Sequence, residues 1–244
     1  MNMLIGTSGW SYRDWRGVFY PEKLPQRQWL GYFAEQFPTV ELNNAFYRLP
    51  SHDNFVGWRE QINQTGDRMI VAVKASRYLT HLKRLTDPVE PVTRLIEHAR
   101  GLGDHLGPIL LQLPPNFPPA PDRLDQCLRS FPSDIRVTVE PRDERWFCDE
   151  IRAVLERHQV PLCWGDRLGR PVGPLWRTAD WGYLRMHEGH ARPYPRYGRQ
   201  ALTSWLRRVE RTYQRGEDVF VYFNNDTDGA AVLDAQAMVG LQNR

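Results

Sequence analysis

Cysteine is scarce in this chain, and what there is does not pair. The 244 residues hold three, Cys127, Cys148 and Cys163. The number is odd and no CxxC or CxxH spacing occurs, which argues against a disulfide framework and against a zinc knuckle. A reducing cytoplasm is the expected compartment. Long apolar runs are missing too, for none approaches the roughly 20 residues that cross a bilayer. The opening Met1-Asn2-Met3-Leu4-Ile5-Gly6 has no basic segment ahead of an apolar one, so neither a secretory signal nor a membrane partner is expected. An excess of one charge is also lacking, with 32 basic residues against 29 acidic ones. That balance gives no nucleic-acid footprint by itself and reads as a mixed solvated surface. No low-complexity tract or linker divides the chain, and one domain over residues 1–244 is expected.

What is present is a repeat of short apolar runs and longer helical patterns. Eight candidate strands fall at 3–6, 39–43, 69–75, 108–113, 135–140, 160–164, 181–186 and 219–223, all rich in β-branched and aromatic residues. Their continuous apolar character suits parallel strands covered on both faces. Helical patterns fill 28–36, 53–64, 89–101, 122–130, 149–158, 200–215 and 229–240. In the third of these Val92, Leu95, Ile96 and Ala99 follow the spacing of one helix face. Asp122 and Asp149 stand where N-caps belong. Regular strand–helix alternation predicts an α/β fold, and eight units predict a parallel eight-stranded (β/α)8 TIM-type barrel rather than an open sheet. Between the sixth and seventh strands the Gly- and Pro-rich segment 166–174 leaves the sixth helix short or missing.

In such a barrel the reactive side chains stand at the C-terminal strand ends. Those ends carry Glu41, Lys74 and Glu140, the candidate catalytic residues. A buried lysine amine suits anion binding or proton transfer with a lowered pKa, and two carboxylates on different strands can divide acid and base roles. Equally, Lys74 reads as half of a structural ion pair with a carboxylate, and Glu41 and Glu140 as counter-ions for Lys74, Arg142 and Arg185. Candidate substrate-binding residues from the first four ends are Trp10, Tyr12, Asn43, Tyr47, Arg77 and Gln112. The later ends add Arg142, Arg185, His187, Asn224, Asn225 and Asp226. The aromatics either cap the core or form a stacking wall; nine Trp in the chain make that wall worth weighing. The run Asn224-Asn225-Asp226 before Gly229 reads both as a turn with a helix N-cap and as a phosphate-holding loop. His187 and His190 form an HxxH spacing on a loop, a weakly specific metal signal with only His81 as an obvious third ligand; no metal site is assigned and no cofactor is required by the sequence.

Several motifs together resemble the YecE-like family, known as domain of unknown function 72. They are Gly6-Thr7-Ser8-Gly9-Trp10-Ser11-Tyr12, Glu41-Leu42-Asn43-Asn44-Ala45-Phe46-Tyr47-Arg48 and Lys74-Ala75-Ser76-Arg77. Glu140-Pro141-Arg142, Tyr183-Leu184-Arg185-Met186-His187 and Val221-Tyr222-Phe223-Asn224-Asn225-Asp226 continue the match along nearly the whole chain. The resemblance implies a TIM-type barrel and supplies no reaction, since fold does not fix function.

The clustered Lys74, Arg142 and Arg185 favour an enzyme of hydrolase or lyase type. Its expected partner is a small anionic molecule or nucleotide-like ligand carrying a phosphate or carboxylate, clamped by arginine. Two alternatives stand beside it. One is a metal-dependent nucleic-acid phosphodiesterase drawing on Glu41, Glu140, Asp166, His81 and His187. The other is a non-catalytic barrel that binds nucleic acid or another ligand.

Overall fold

The computed structural model describes residues 1–66 and 68–242. The first half of the chain runs β1 (Asn2–Ser8), α1 (Trp29–Ala34), β2 (Thr39–Leu42), α2 (His52–Asn63), β3 (Ile70–Lys74), α3 (Val89–Ala99), β4 (Leu106–Gln112) and α4 (Pro121–Arg129). The second half runs β5 (Val137–Glu140), α5 (Asp149–Arg157), β6 (Trp164–Arg167), β7 (Arg170–Pro171), β8 (Gly182–Met186), α6 (Arg199–Thr212), β9 (Asp218–Phe223) and α7 (Ala230–Gln242). The strands form one sheet in the order β5-β4-β3-β2-β1-β9-β8-β6-β7, parallel throughout except where β7 folds back on β6.

This is a curled, mostly parallel nine-stranded sheet and not a clean eight-stranded barrel. Its two flanks meet at a single bridge between Val139 and Leu162, where Val139 N donates to Pro161 O at 3.2 Å and Cys163 N donates to Val139 O at 2.8 Å. The sequence pattern puts a strand at 160–164, whereas β6 begins only at Trp164. Pro161 explains the difference, because it has no N–H to give to a ladder. The Thr178 hydroxyl satisfies the backbone there instead, accepting from Leu162 N at 2.9 Å and donating to Val160 O at 2.6 Å. The predicted loss of the sixth helix is seen: β6 and β7 form a tight hairpin turning at Leu168 and Gly169, both at positive φ.

Residue parity along the strands sorts the core into two layers. One cluster joins Leu4, Ala72, Leu110, Cys163, Phe220 and Tyr222 inside the curl. Their chain neighbours Met3, Ile5, Val71, Val73, Ile109 and Leu111 belong to the second cluster, under the helices. The alternation is the period of two that a strand imposes, and burial on both faces is why the runs read as continuously apolar. The predicted face of α3 is buried as expected, with Val92, Leu95, Ile96 and Ala99 all under 5 % exposed. Two capping expectations need correction. Ala120 and Cys148 occupy the N-cap positions, while Asp122 and Asp149 fall inside the first turns of α4 and α5. Pro121 takes the first helical position, which its fixed φ suits, and the aspartates lie near the positive helix ends instead of capping them.

At Gly6 the sheet tolerates no side chain, since a Cβ there would lie 1.9 Å from Thr39 O across the β1–β2 pair. That close approach brings the end of β2 toward the end of β1 and so sets Glu41 beside Ser8.

Candidate functional site

Inside the curl the apolar layer gives way to polar residues toward the strand C-termini. Each polar residue sits two positions beyond an interior apolar or hydroxyl residue on its strand: Ser8 beyond Gly6, Glu41 beyond Thr39, Lys74 beyond Ala72, Gln112 beyond Leu110, Glu140 beyond Thr138. On β8 the same spacing runs Tyr183, Arg185 and, just past the strand, His187. Period two therefore aims all of them at one place.

Arg185 is the hub. It is 1 % exposed, and its two terminal nitrogens serve different carboxylates, Nη1 donating to Glu140 Oε2 at 2.7 Å and Nη2 to Glu41 Oε1 at 2.8 Å. Glu41 also accepts from Ser8 Oγ at 2.7 Å and from Tyr183 Oη at 2.6 Å. Glu140 accepts further from Gln112 Nε2 at 2.7 Å and is ion-paired with Arg142 Nη2 at 3.1 Å. Burial alone would push both carboxyls up, but Arg185 and these donors outweigh it and hold both below the ordinary glutamate range. Both are ionised at neutral pH and their lone pairs are largely taken.

His187 completes the group. Its Nε2 lies 2.7 Å from Glu140 Oε1, and its Nδ1 lies 3.1 Å from Asn224 Nδ2. Arg142 Nη2 also lies 3.1 Å from Nε2; with the ring proton on Nε2 the imidazole donates to Glu140 Oε1 and accepts from Asn224 at Nδ1, and Arg142 acts on Glu140 rather than on the ring. Burial, opposed by Glu140 and assisted by Arg185 and Arg142, lowers the pKa of His187, so the ring is neutral.

Lys74 is different. Its amine lies over the Phe46 ring, 4.3 Å from the centroid, and among the described residues it has no hydrogen bond and no ion pair. Burial, then Arg185, push its pKa down to about 8, against the opposing pull of Glu41 and Glu140. Two further polar atoms in this neighbourhood are buried without a partner, Arg185 Nε and Asn43 Oδ1. Counted together, three cations (Arg185, Arg142, Lys74) face two carboxylates, and one positive charge is left over.

The structure thus gathers Glu41, Lys74, Glu140, Arg142, Arg185, His187, Gln112 and Asn224, drawn from six strand ends. Others it places apart. Trp10 packs edge-on against Trp58, and Tyr47 is 84 % exposed on the rim. Asn225 is buried and ties down the loop before α6, donating to Pro195 O and Asp234 Oδ2. Tyr12 donates to Ser8 O, and Asp226 accepts from Trp15 Nε1 at 2.8 Å beside it. Arg77 is exposed at the start of the helical turn that follows β3. Asp166, a ligand in the metal-dependent alternative, faces outward to Trp205 Nε1 at 2.7 Å and to Tyr197. Among the described residues no three His, Cys, Asp or Glu side chains are grouped to hold a metal ion.

Cavity size and chemistry disagree. A hollow of about 990 Å³ lies at the opposite end of the sheet, by Asn2, Arg68 and Phe220. Four of its charged residues are already paired, Arg100 with Asp134 at 3.0 Å and Arg136 with Asp218 at 2.7 Å. At the polar end an enclosed space of about 20 Å³ is bounded by Glu140, Arg142, Cys163 and His187, and a hollow of about 320 Å³ is bounded by Phe46, Tyr47 and Arg77. Perturbed, unpaired groups mark a functional site better than volume does, and they occur at the polar end.

Comparison with known proteins places the whole chain. The family model described as "Protein of unknown function DUF72" matches residues 4–244. The chain belongs to this family. The DUF72 chain is 25% identical to the UPF0759 protein YunF of Bacillus subtilis (strain 168), over 97% of this chain and 93% of that protein. It is similar to the crystal structure of a DUF72 family protein from Thermotoga maritima MSB8, with TM-score 0.86 and 27% identity over 100% of both chains. A fusion protein containing a xylose isomerase-like TIM barrel shares the fold alone, with TM-score 0.56 and 14% identity over 99% of this chain and 42% of that one. The fold of this DUF72 chain is therefore TIM-barrel-like. No helix among its described residues is long and apolar enough to cross a membrane.

Sequence reasoning missed Tyr183 in this DUF72 site and saw Phe46 only as one of the strand-end aromatics, a core cap or part of a stacking wall, not as the cover of Lys74. Tyr183 precedes Arg185 by two positions on β8, so strand parity alone could have placed its hydroxyl beside Glu41. Phe46 lies one residue before the rim residue Tyr47, and no periodicity marks which of the two covers Lys74.

Proposed function

We propose that the DUF72 chain is an enzyme, of hydrolase or lyase type, acting on a small anionic substrate at the polar end of a TIM-type barrel. In this reading β5 and the segment before β6 close the barrel at the Val139–Leu162 bridge, and the strand C-termini form its mouth. The observation that carries the proposal is the unpaired Lys74 amine beside two carboxylates already occupied by Arg185. A site with a surplus cation in a half-buried setting attracts a phosphate or carboxylate, and Arg142 on the rim adds a second donor to it. Glu41 and Glu140 serve as ionised anchors that hold Arg185 and His187 in place. Lys74, with its pKa near neutrality, is the group able to take and return a proton. Three unpaired thiols fit a cytoplasmic setting.

Thermal shift tests the reading directly. Inorganic phosphate, sugar phosphates and dicarboxylates are added to the pure protein and to Lys74→Met and Arg142→Ala variants. At a ligand concentration of about 100 times Kd, stabilisation of about 3 kcal/mol is expected in the parent and less in either variant. No stabilisation by any anion would end the proposal.

A further inference from the structure

The chain has 32 basic residues, and only three of them are lysine: Lys23, Lys74 and Lys83. Lys23 is exposed, and Lys83 pairs with Asp87 at 3.4 Å. Everywhere else a cation is arginine, including Arg185 and Arg142 within the site. If Lys74 served only to hold a negative charge, arginine would do it as well or better, through its fork of donors. What arginine cannot do is shed its proton near neutral pH and attack as a nucleophile.

The geometry suits that second task. The Lys74 amine rests on the Phe46 ring, has no hydrogen bond or ion pair among the described residues, and is partly open to solvent. Arg185 holds both nearby carboxylates, so neither is free to tie the amine down. The Phe46 ring also borders a hollow of about 320 Å³ shared with Arg77, which Lys74 itself does not line; a substrate reaches the amine through its own solvent-open side.

We infer that Lys74 forms a Schiff base with an aldehyde or ketone that also carries a phosphate or carboxylate. The inference rests on the proposed anion-binding role of the same mouth. In the step, the Lys74 ammonium first gives up a proton, and the free nitrogen lone pair attacks the carbonyl carbon. A C–N bond forms and the C=O π pair moves onto oxygen, which takes the proton. The carbinolamine then loses that oxygen as water, leaving a protonated imine; ammonium plus carbonyl gives iminium plus water, with no oxidant or reductant needed. The iminium keeps the positive charge where the ammonium had it, so the surrounding charge balance is unchanged. A lysine with a pKa of about 8 is neutral in about a tenth of molecules at pH 7, against a few hundredths of a per cent for an ordinary one.

The test is reductive trapping. The protein is incubated with glyoxylate, pyruvate or glyceraldehyde 3-phosphate and cyanoborohydride, then digested and mapped by mass spectrometry. Expected is an adduct on Lys74 formed at least about tenfold faster than on Lys23 or Lys83, as the difference in neutral amine requires. Lys74→Arg and Lys74→Met, confirmed folded by circular dichroism, lose it. Equal labelling of the three lysines, or none at Lys74, overturns the inference. Inorganic phosphate, which has no carbonyl, is tested by thermal shift on the same preparation. Stabilisation by phosphate with no Lys74 adduct overturns the covalent step and leaves anion binding standing, whereas absence of both removes both.

Discussion

Arg185 bridges Glu41 and Glu140, giving one guanidinium nitrogen to each, and all three side chains are at most 4 % exposed. Two carboxylates from β2 and β5 are thereby tied to one cation on β8, across the inside of the sheet. Removing the cation leaves two buried anions without their main partner. Arg185→Met should cost about 3–5 kcal/mol of unfolding free energy, the range for a broken buried ion pair. Adding Glu41→Gln and Glu140→Gln should recover part of that loss. Urea denaturation decides: a single variant within about 1 kcal/mol of the parent would show that the bridge is dispensable.

The same pair sets the acid limit. Both carboxyls are held below their ordinary values in the folded state, chiefly by Arg185 against the effect of burial. A carboxyl with a depressed folded pKa contributes stability that is present above its unfolded value, about 4.3, and is lost as pH falls through the folded one. The urea midpoint should therefore hold from pH 7 to about 5 and drop steeply below about 4, less steeply in Glu140→Gln. Parallel curves for parent and variant would refute the assignment.

Much of this was legible in the sequence, and the failures have physical causes. The strand at Val219–Phe223 and the face of α3 were readable because period and composition agree there. The convergence of Glu41, Lys74, Glu140, Arg142 and Arg185 followed from chain order alone, since parallel strands deliver all their C-termini to one end. What pattern could not give was direction. Asp166 ends β6 much as Glu140 ends β5, yet one parity step turns it outward to Trp205. The sixth strand was misplaced because hydropathy cannot see that Pro161 lacks a donor. Asn225 looked like part of a ligand-holding loop, but its contacts to Pro195 and Asp234 are long-range and leave no local trace.

Lys74 carries a stability cost that a functional role would explain. Its folded pKa of about 8 lies below the unfolded value of about 10.4, so the folded state disfavours the ammonium. Between those values the unfolded chain binds more protons, and stability rises with pH. Lys74→Met should stabilise the fold near pH 7 by about 1–2 kcal/mol, discounted for the partial exposure of the amine. The gain should shrink as pH passes from about 8 to 10. Differential scanning calorimetry at pH 7 and pH 10 measures it. A variant less stable than the parent at pH 7 would mean that packing on Phe46 outweighs the charge.

Asp226 offers the opposite case on the same rim. Burial, with Asp14 and Asp228 nearby, raises its pKa to about 6 even though Trp15 Nε1 donates to it. A carboxyl raised in this way contributes stability below its unfolded value of about 3.9, and loses it as pH rises to about 6. Asp226→Asn keeps an oxygen to accept from Trp15 and removes the buried charge. It should be more stable than the parent at pH 7 by about 1–2 kcal/mol after discounting for exposure, and nearly equal to it at pH 4. Melting temperatures at the two pH values test this, and equal gains at both would show that charge is not the cause. A stabilising replacement at a residue retained for binding should also lower ligand-induced stabilisation, because sites are commonly kept at the expense of fold stability. If Asp226→Asn stabilises the protein and leaves the response to anions intact, Asp226 lies outside the substrate's reach and the site narrows to the residues around Arg185.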